Sequence, residues 1–253
     1  MPYHCTALAR TPALAWDHLS LLSAAPDWGP AYRPESPRLM LPMEGCLHVE
    51  LNGHRFVLDA GTALWLTPKH SYRLRQPNAG QRSMLLVMHV DDDQARRCRL
   101  TPMHRWLLHR LSASAAQGDA LRLEAGAAEL IGELLGQSLP RSSPHRAVEA
   151  AREFIASDPT RGDGLTTIAQ AAACSPFHLA RLFRRHTGRS LHAHRDDLRM
   201  ALALQRLQGG ETNLAQLAVD LGYANHSHFS AAFKRRFGIA PALMRTNLTA
   251  YQR

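Results

Sequence analysis

The sequence predicts two domains. A mainly-β N-terminal domain, closed as a small barrel and followed by helices, occupies 1–139; an all-α C-terminal domain with two helix-turn-helix units joined by a linker helix occupies 140–253. Three observations predict this. Short apolar runs separated by turn signals fill 38–90, the periodicity turns helical after residue 100, and a pair of short helices recurs at about 50 residues' spacing near the C-terminus.

The strands come first. Leu47-His-Val-Glu-Leu51 alternates apolar and polar residues as a half-buried strand does. Asn52-Gly53 follows as a hairpin turn, and Arg55-Phe-Val-Leu58 leads into Ala60-Gly61. Ala63–Leu66 and Met84–Met88 supply further strands. Short antiparallel strands joined by glycine turns point to a small barrel or jelly roll.

Helical spacing begins at Pro102–Ser112 and continues over Ala120–Ser138, where Leu123, Ala127, Leu130 and Leu134 share a face. Pro140-Arg-Ser-Ser-Pro144 breaks the chain and is the expected linker. Helices are then expected over 145–157, 166–173, 176–186, 191–208, 213–221, 227–237 and 241–247.

Bulk properties narrow the function classes. No apolar run approaches the roughly 18 residues of a membrane span. Met1-Pro2-Tyr3-His4 lacks the layout of a signal peptide, so a cytoplasmic location is expected. The four cysteines, Cys5, Cys46, Cys98 and Cys174, form no CxxC pair, which argues against a zinc ribbon or a disulfide framework. The formal charge of +9 is unevenly spread. Residues 145–253 hold 15 Lys and Arg against 8 Asp and Glu, a net of +7, leaving +2 for 1–144. That distribution is what a phosphate-binding footprint requires.

The repeat gives the charge a frame. Leu165–Ala173, Cys-Ser-Pro, Phe177–Arg185 and Thr187-Gly188 form one copy; Leu214–Gly222, Tyr-Ala-Asn-His, Ser227–Arg236 and Phe237-Gly238 form the other. Each is a helix, a tight turn and a second helix, with Ala169 or Ala218 at the close crossing and Ala173 or Gly222 at the turn. In the first copy Leu179, Leu182 and Phe183 form the buried stripe, with Phe177, Ala180, Arg181 and Arg184 opposite. In the second, Phe229, Phe233 and Phe237 are core, with His226, Ser227, Ser230 and Ala231 opposite.

A helix with a small, hydrogen-bonding first half and a basic end suits the major groove of double-stranded DNA. Early residues reach base edges while Arg184, Arg185, Lys234, Arg235 and Arg236 meet phosphates. Arg181 is the candidate for a bidentate guanine contact, worth about 1–3 kcal/mol of discrimination. Leu191–Leu207 reads as the helix that spaces the two units, roughly 25 Å long against a DNA pitch of about 34 Å.

Over about residues 145–246 the sequence resembles the AraC/XylS family of transcription regulators. The second copy carries the resemblance in Leu217-Ala218, Gly222-Tyr223, Ser227-His228-Phe229, Phe233-Lys234, Phe237-Gly238 and Pro241. The first carries it in Ile168-Ala169, Ser175-Pro176, His178-Leu179, Arg181-Leu182-Phe183 and Thr187-Gly188, and Arg199 and Ala203 match the linker helix. Ala173 stands where the family usually has glycine, Leu191 where it often has proline, and Met244 where an aromatic residue is common. The resemblance implies base contacts at Phe177, Ala180, Arg181, His226, Ser227, Ser230 and Ala231, and RNA polymerase as a partner of an activator. Ala180 and Ala231 are too short to hydrogen-bond.

Glu44-Gly45, Leu51-Asn-Gly53, Gly61 and Leu66-Thr-Pro68 give the N-terminal half a resemblance to the cupin-like sensor domain common in that family. It implies a small effector in the barrel, with Met43, Trp65, Met84 and Met88 as candidate lining, and a homodimer through 120–138. Packing of that helix on its own barrel is the alternative. A metal-dependent cupin enzyme would need a His-x-His pair between Gly45 and Gly61, which is absent; Tyr72 occupies a place where cupins often put histidine. No catalysis, metal or cofactor is therefore expected. The alternatives are a metal-dependent cupin enzyme and a DNA-binding regulator without an effector.

Overall fold

The computed structural model describes residues 4–21, 24–78, 81–90, 92–137 and 145–244. The expected linker Pro140–Pro144, the boundary at 139/140 and residues 245–247 of the expected last helix lie outside the described residues.

Among the described residues nine strands precede the helices: β1 His4–Arg10, β2 Leu14–Leu21, β3 Arg38–Glu44, β4 Cys46–Leu51, β5 His54–Asp59, β6 Thr62–Leu66, β7 Tyr72–Arg75, β8 Gln81–Met88 and β9 Arg96–Arg99. They form two antiparallel sheets, one ordered β1-β2-β8-β3-β6-β9 and one ordered β5-β4-β7. Among the described residues no ladder joins the sheets, so the expected closed barrel gives way to two sheets packed face to face. The Asn52-Gly53 turn is present as read, both residues with positive φ, and sets the β4–β5 register at Leu51 opposite His54.

Alternation along the strands builds two cores from one sheet. Met40, Leu64, Leu66 and Leu85 face the smaller sheet, where they meet Val49, Leu58 and Leu74. Leu39, Leu41, Trp65, Leu86 and Met88 face the other way. Two helices cover that second face: α1 (Pro102–Ala116), begun by a Thr101–His104 capping box, and α2 (Ala120–Leu135), capped by Asp119. Leu123, Ala127, Leu130, Ile131 and Leu134 of α2 are buried there. Those leucines therefore pack on their own domain and are unavailable as a dimer interface.

The C-terminal domain consists of α3 (Arg146–Ser157), α4 (Leu165–Ala171), α5 (Pro176–Thr187), α6 (Leu191–Gln208), α7 (Leu214–Asp220) and α8 (His226–Phe237), within a residue or two of the sequence reading. One core gathers α3, α4, α5 and the start of α6, and it extends to Cys46 and Val57 of the smaller sheet. A second gathers the rest of α6 with α7 and α8.

The domains are joined by a buried polar hub. Asp59, fully buried at the end of β5, receives a two-pronged ion pair from Arg152 of α3 at 3.0–3.1 Å. His194 Nε2 of α6 lies 3.0 Å from the same carboxylate, and Gly61 N–H donates to it at 2.9 Å. Burial alone would raise Asp59; Arg152 and His194 outweigh that and hold the carboxyl well below the usual range. Glu149 of α3 adds two links, accepting from Val57 N–H and Arg97, both at 2.8 Å.

Candidate nucleic-acid interface

Both copies are built by the same local moves. In the first, Ala173 takes a left-handed φ of 51° and Cys174 N–H returns to the Ala169 carbonyl at 3.0 Å. In the second, Gly222 takes φ 75° and Tyr223 N–H returns to the Ala218 carbonyl at 2.9 Å. Glycine is required at the second turn: a Cβ on Gly222 would lie 2.4 Å from the Thr160 carbonyl oxygen. The following helices start on matched caps, Ser175 accepting from His178 N–H and Asn225 accepting from His228 N–H. The extra residue of the second turn shifts that cap without disturbing the geometry.

These constraints fix which side of α5 and α8 faces out. Leu179 and Phe183 are fully buried, and Phe229, Phe233 and Phe237 stack along the inner side of α8. On the outer side of α5, Phe177 is 89% exposed, Arg181, Arg184 and Arg185 are exposed and Ala180 is half-buried. On α8, His226, Ser227, Ala231, Lys234 and Arg235 are exposed. Ser230 is half-buried, its hydroxyl 3.3 Å from His226 Nε2. Each helix thus presents a basic last turn, where the cations also complement the helix dipole; ahead of it α8 shows no Lys or Arg, whereas α5 shows the exposed Arg181 midway.

Arg236 differs from the other expected phosphate contacts. Its guanidinium bridges Asp196 and Asp197 of α6, at 2.9 and 3.0 Å, and is half-buried. Arg189, from the loop after α5, also pairs with Asp197, and Tyr223 O–H donates to Asp196 at 2.7 Å. Sequence reading took Arg236 for one of a basic run; its acidic partners 40 residues upstream on α6 gave no local signal.

Arg199, matched to the family on the linker helix, is a strap. It donates to the carbonyls of Pro159 (2.7 Å), Thr160 (3.0 Å) and Arg161 (3.1 Å), ahead of the first copy, and to the Gly222 carbonyl (3.2 Å) in the turn of the second.

The candidate effector residues do not converge on the space between the sheets. Trp65, Met84 and Met88 point to the opposite face, into the core under α1 and α2. Met43 Sδ lies 2.9 Å from Nη1 of Arg105, a buried α1 arginine that also donates through Nε to the Ala60 carbonyl at 2.9 Å. Tyr72 is buried beside Tyr32. The hub residues Asp59, Arg105, Arg152 and His194 were not singled out by sequence, and only the Asp59-Ala60-Gly61 turn hinted at them.

Residues 168–247 match the family model of a helix-turn-helix domain. The chain is 31% identical over 148 residues to the HTH-type transcriptional regulator GlxA of Rhizobium meliloti (strain 1021), covering 58% of this chain and 46% of that protein. It is 29% identical over 161 residues to a putative AraC-like transcription regulator of Streptomyces lividans, covering 59% and 51%. The matches thus span about half the length of these curated relatives or less. Among solved structures, the C-terminal domain of AraT, a response regulator from Geobacillus stearothermophilus, is 28% identical over 43% of this chain and 88% of that one, with a TM-score of 0.39. Unsaturated fatty acid bound wild-type ToxT from Vibrio cholerae strain SCE256 is 12% identical over 93% and 95%, with a TM-score of 0.38.

Proposed function

We propose that this chain, whose residues 168–247 match the model of a helix-turn-helix domain, is a sequence-specific DNA-binding transcription regulator of the AraC type. The observation that carries the reading is the pair of capped helices α5 and α8, each presenting a basic last turn to solvent, behind small residues on α8 and behind Arg181 on α5. The two helices enter successive major grooves on one face of the duplex. Phe177, Ala180, Arg181, His226, Ser227, Ser230 and Ala231 approach base edges. Arg184, Arg185, Lys234 and Arg235 meet phosphates, while Arg236 holds α8 to α6. Phe177 and Ala231 offer apolar contact to a thymine methyl, and Arg181 a fork for guanine.

The N-terminal domain senses a small effector and relays its presence through the contacts that join it to the C-terminal domain. The protein works in the cytoplasm and acts on RNA polymerase at a promoter. Among the described residues no helix is long and apolar enough to cross a membrane.

Footprinting of the full chain on DNA flanking its gene tests the reading. Two protected major-groove segments about one helical turn apart per protomer are expected. Binding that competitor DNA abolishes at physiological salt would overturn it.

A further inference from the structure

A cavity of about 270 Å³ opens between α1 and α2, slightly below the ~300 Å³ at which ligand pockets for drug-sized molecules begin. Its size suits a compact molecule. On the α1 side the Trp106 and His109 rings stack, 5.4 Å between centroids and 30° between planes. Burial pushes the His109 imidazole down to about 4, so it is neutral at pH 7 and the stacked rings form a flat, uncharged wall. The floor is tight, since a Cβ on Gly126 of α2 would lie 2.4 Å from Leu111 Cδ2.

The polar part of the lining is mainly cationic. Arg110 is exposed at the rim and has no ion-pair partner among the described residues. Among the described residues Arg122 pairs only with Asp119, at 3.7 Å. Glu129 is the single carboxylate among the lining residues. Aromatic rings beside the unpaired Arg110 guanidinium fit a flat apolar body carrying an anion.

Trp106 has a second role. It also packs against the core of the second helix-turn-helix unit, as Leu202, Leu214 and Ile239 do, and α1 touches both α6 and α8. A ligand stacked on Trp106 therefore bears on the mounting of the second reading helix.

We propose that this cavity binds a small aromatic carboxylate, with its ring on Trp106 and His109 and its carboxylate on Arg110 and Arg122. Occupancy is relayed through Trp106 to α8. The relay rests on the DNA-binding reading; the binding site does not.

Titration calorimetry of the full chain with 2-naphthoate tests the site, with 2-naphthamide and 2-naphthylmethylamine as controls. Saturable binding of 2-naphthoate is expected, with each control at least tenfold weaker. Arg110→Gln with Arg122→Gln should weaken 2-naphthoate at least tenfold, and Ala125→Trp, an exposed lining position, should block it while leaving the melting temperature in place. No binding of 2-naphthoate, tighter binding of the amine, or binding unaltered in these variants overturns the site. Anisotropy on a footprinted promoter fragment then reads the relay. Saturating 2-naphthoate should change DNA affinity at least threefold in the parent chain and not in Ala125→Trp; an unchanged affinity in the parent overturns the relay. Naphthoate binding without DNA binding would count against the regulator reading alone, and DNA binding without naphthoate binding against the cavity alone.

Discussion

Replacing Asp59 by asparagine keeps the shape of the interdomain hub and removes its charge. Asp59 is 0% exposed and Arg152 4%, so water cannot replace the lost counter-ion. Breaking a buried pair by removing one partner costs about 3–5 kcal/mol, because the remaining charge stays buried and uncompensated. For a chain of this size each kcal/mol moves Tm by about 2–4 °C, so Asp59→Asn should lower it by roughly 6–20 °C. Thermal melts followed by circular dichroism measure this, with Lys69→Gln, which breaks the exposed Lys69–Asp93 pair, as a control that should barely shift. The pH dependence has a defined sign. The folded carboxyl is held below its ordinary range, so its contribution is present above about pH 4 and fades as pH falls further. The gap between parent and Asp59→Asn should therefore narrow in acid. A Tm change under about 3 °C at pH 7, or a gap that widens below pH 4, would refute the argument that this ion pair holds the domains together.

Arg181→Ala should relax preference at one base pair by about 5–150-fold, equivalent to 1–3 kcal/mol, whereas Arg235→Ala should weaken all sequences alike and reduce the salt slope by about 1; competition binding over a salt series separates the two. Ala173→Gly should raise stability by about 1 kcal/mol by relieving the left-handed φ of 51°. Gly222→Ala should lower it by more than about 2 kcal/mol, since its Cβ would also strike the Thr160 carbonyl; urea titrations check both. Burial pushes the Cys46 and Cys98 thiols up to about 12. A disulfide reagent at pH 8 should label exposed Cys5 in the folded chain and reach Cys46 and Cys98 only on unfolding.

The C-terminal domain was legible because its determinants are local. Phe229, Phe233 and Phe237 declare their face by spacing alone, and the duplication repeats each cap and crossing alanine. The turn departure at Ala173 left the turn's geometry intact, since alanine adopts the left-handed conformation there at a cost of about 1 kcal/mol. The N-terminal domain was half legible. The strands at Leu47–Leu51, Arg55–Leu58, Ala63–Leu66 and Met84–Met88 were legible, whereas β2, β7 and β9 were not read, nor was β1, which carries no apolar stripe and is almost wholly exposed. Closure into a barrel could not be read, because pairing between distant strands leaves no periodic trace. In α1 hydropathy misleads outright: Arg105 is buried and Met103 is 49% exposed. The hub lies beyond sequence reading, since His194 meets Asp59 across 135 residues.

Arg199 has a consequence for the DNA as much as for the protein. By tying the approach to the first reading unit to the turn of the second, it fixes the distance and rotation between α5 and α8. A single base pair inserted between two half-sites turns one against the other by roughly 35° and moves it about 3.4 Å. A strapped pair of helices cannot follow that displacement without releasing carbonyls that Arg199 now satisfies. On the proposed function, the tolerance of a promoter to spacer length would be set in part by one guanidinium that binds only carbonyls of its own chain among the described residues.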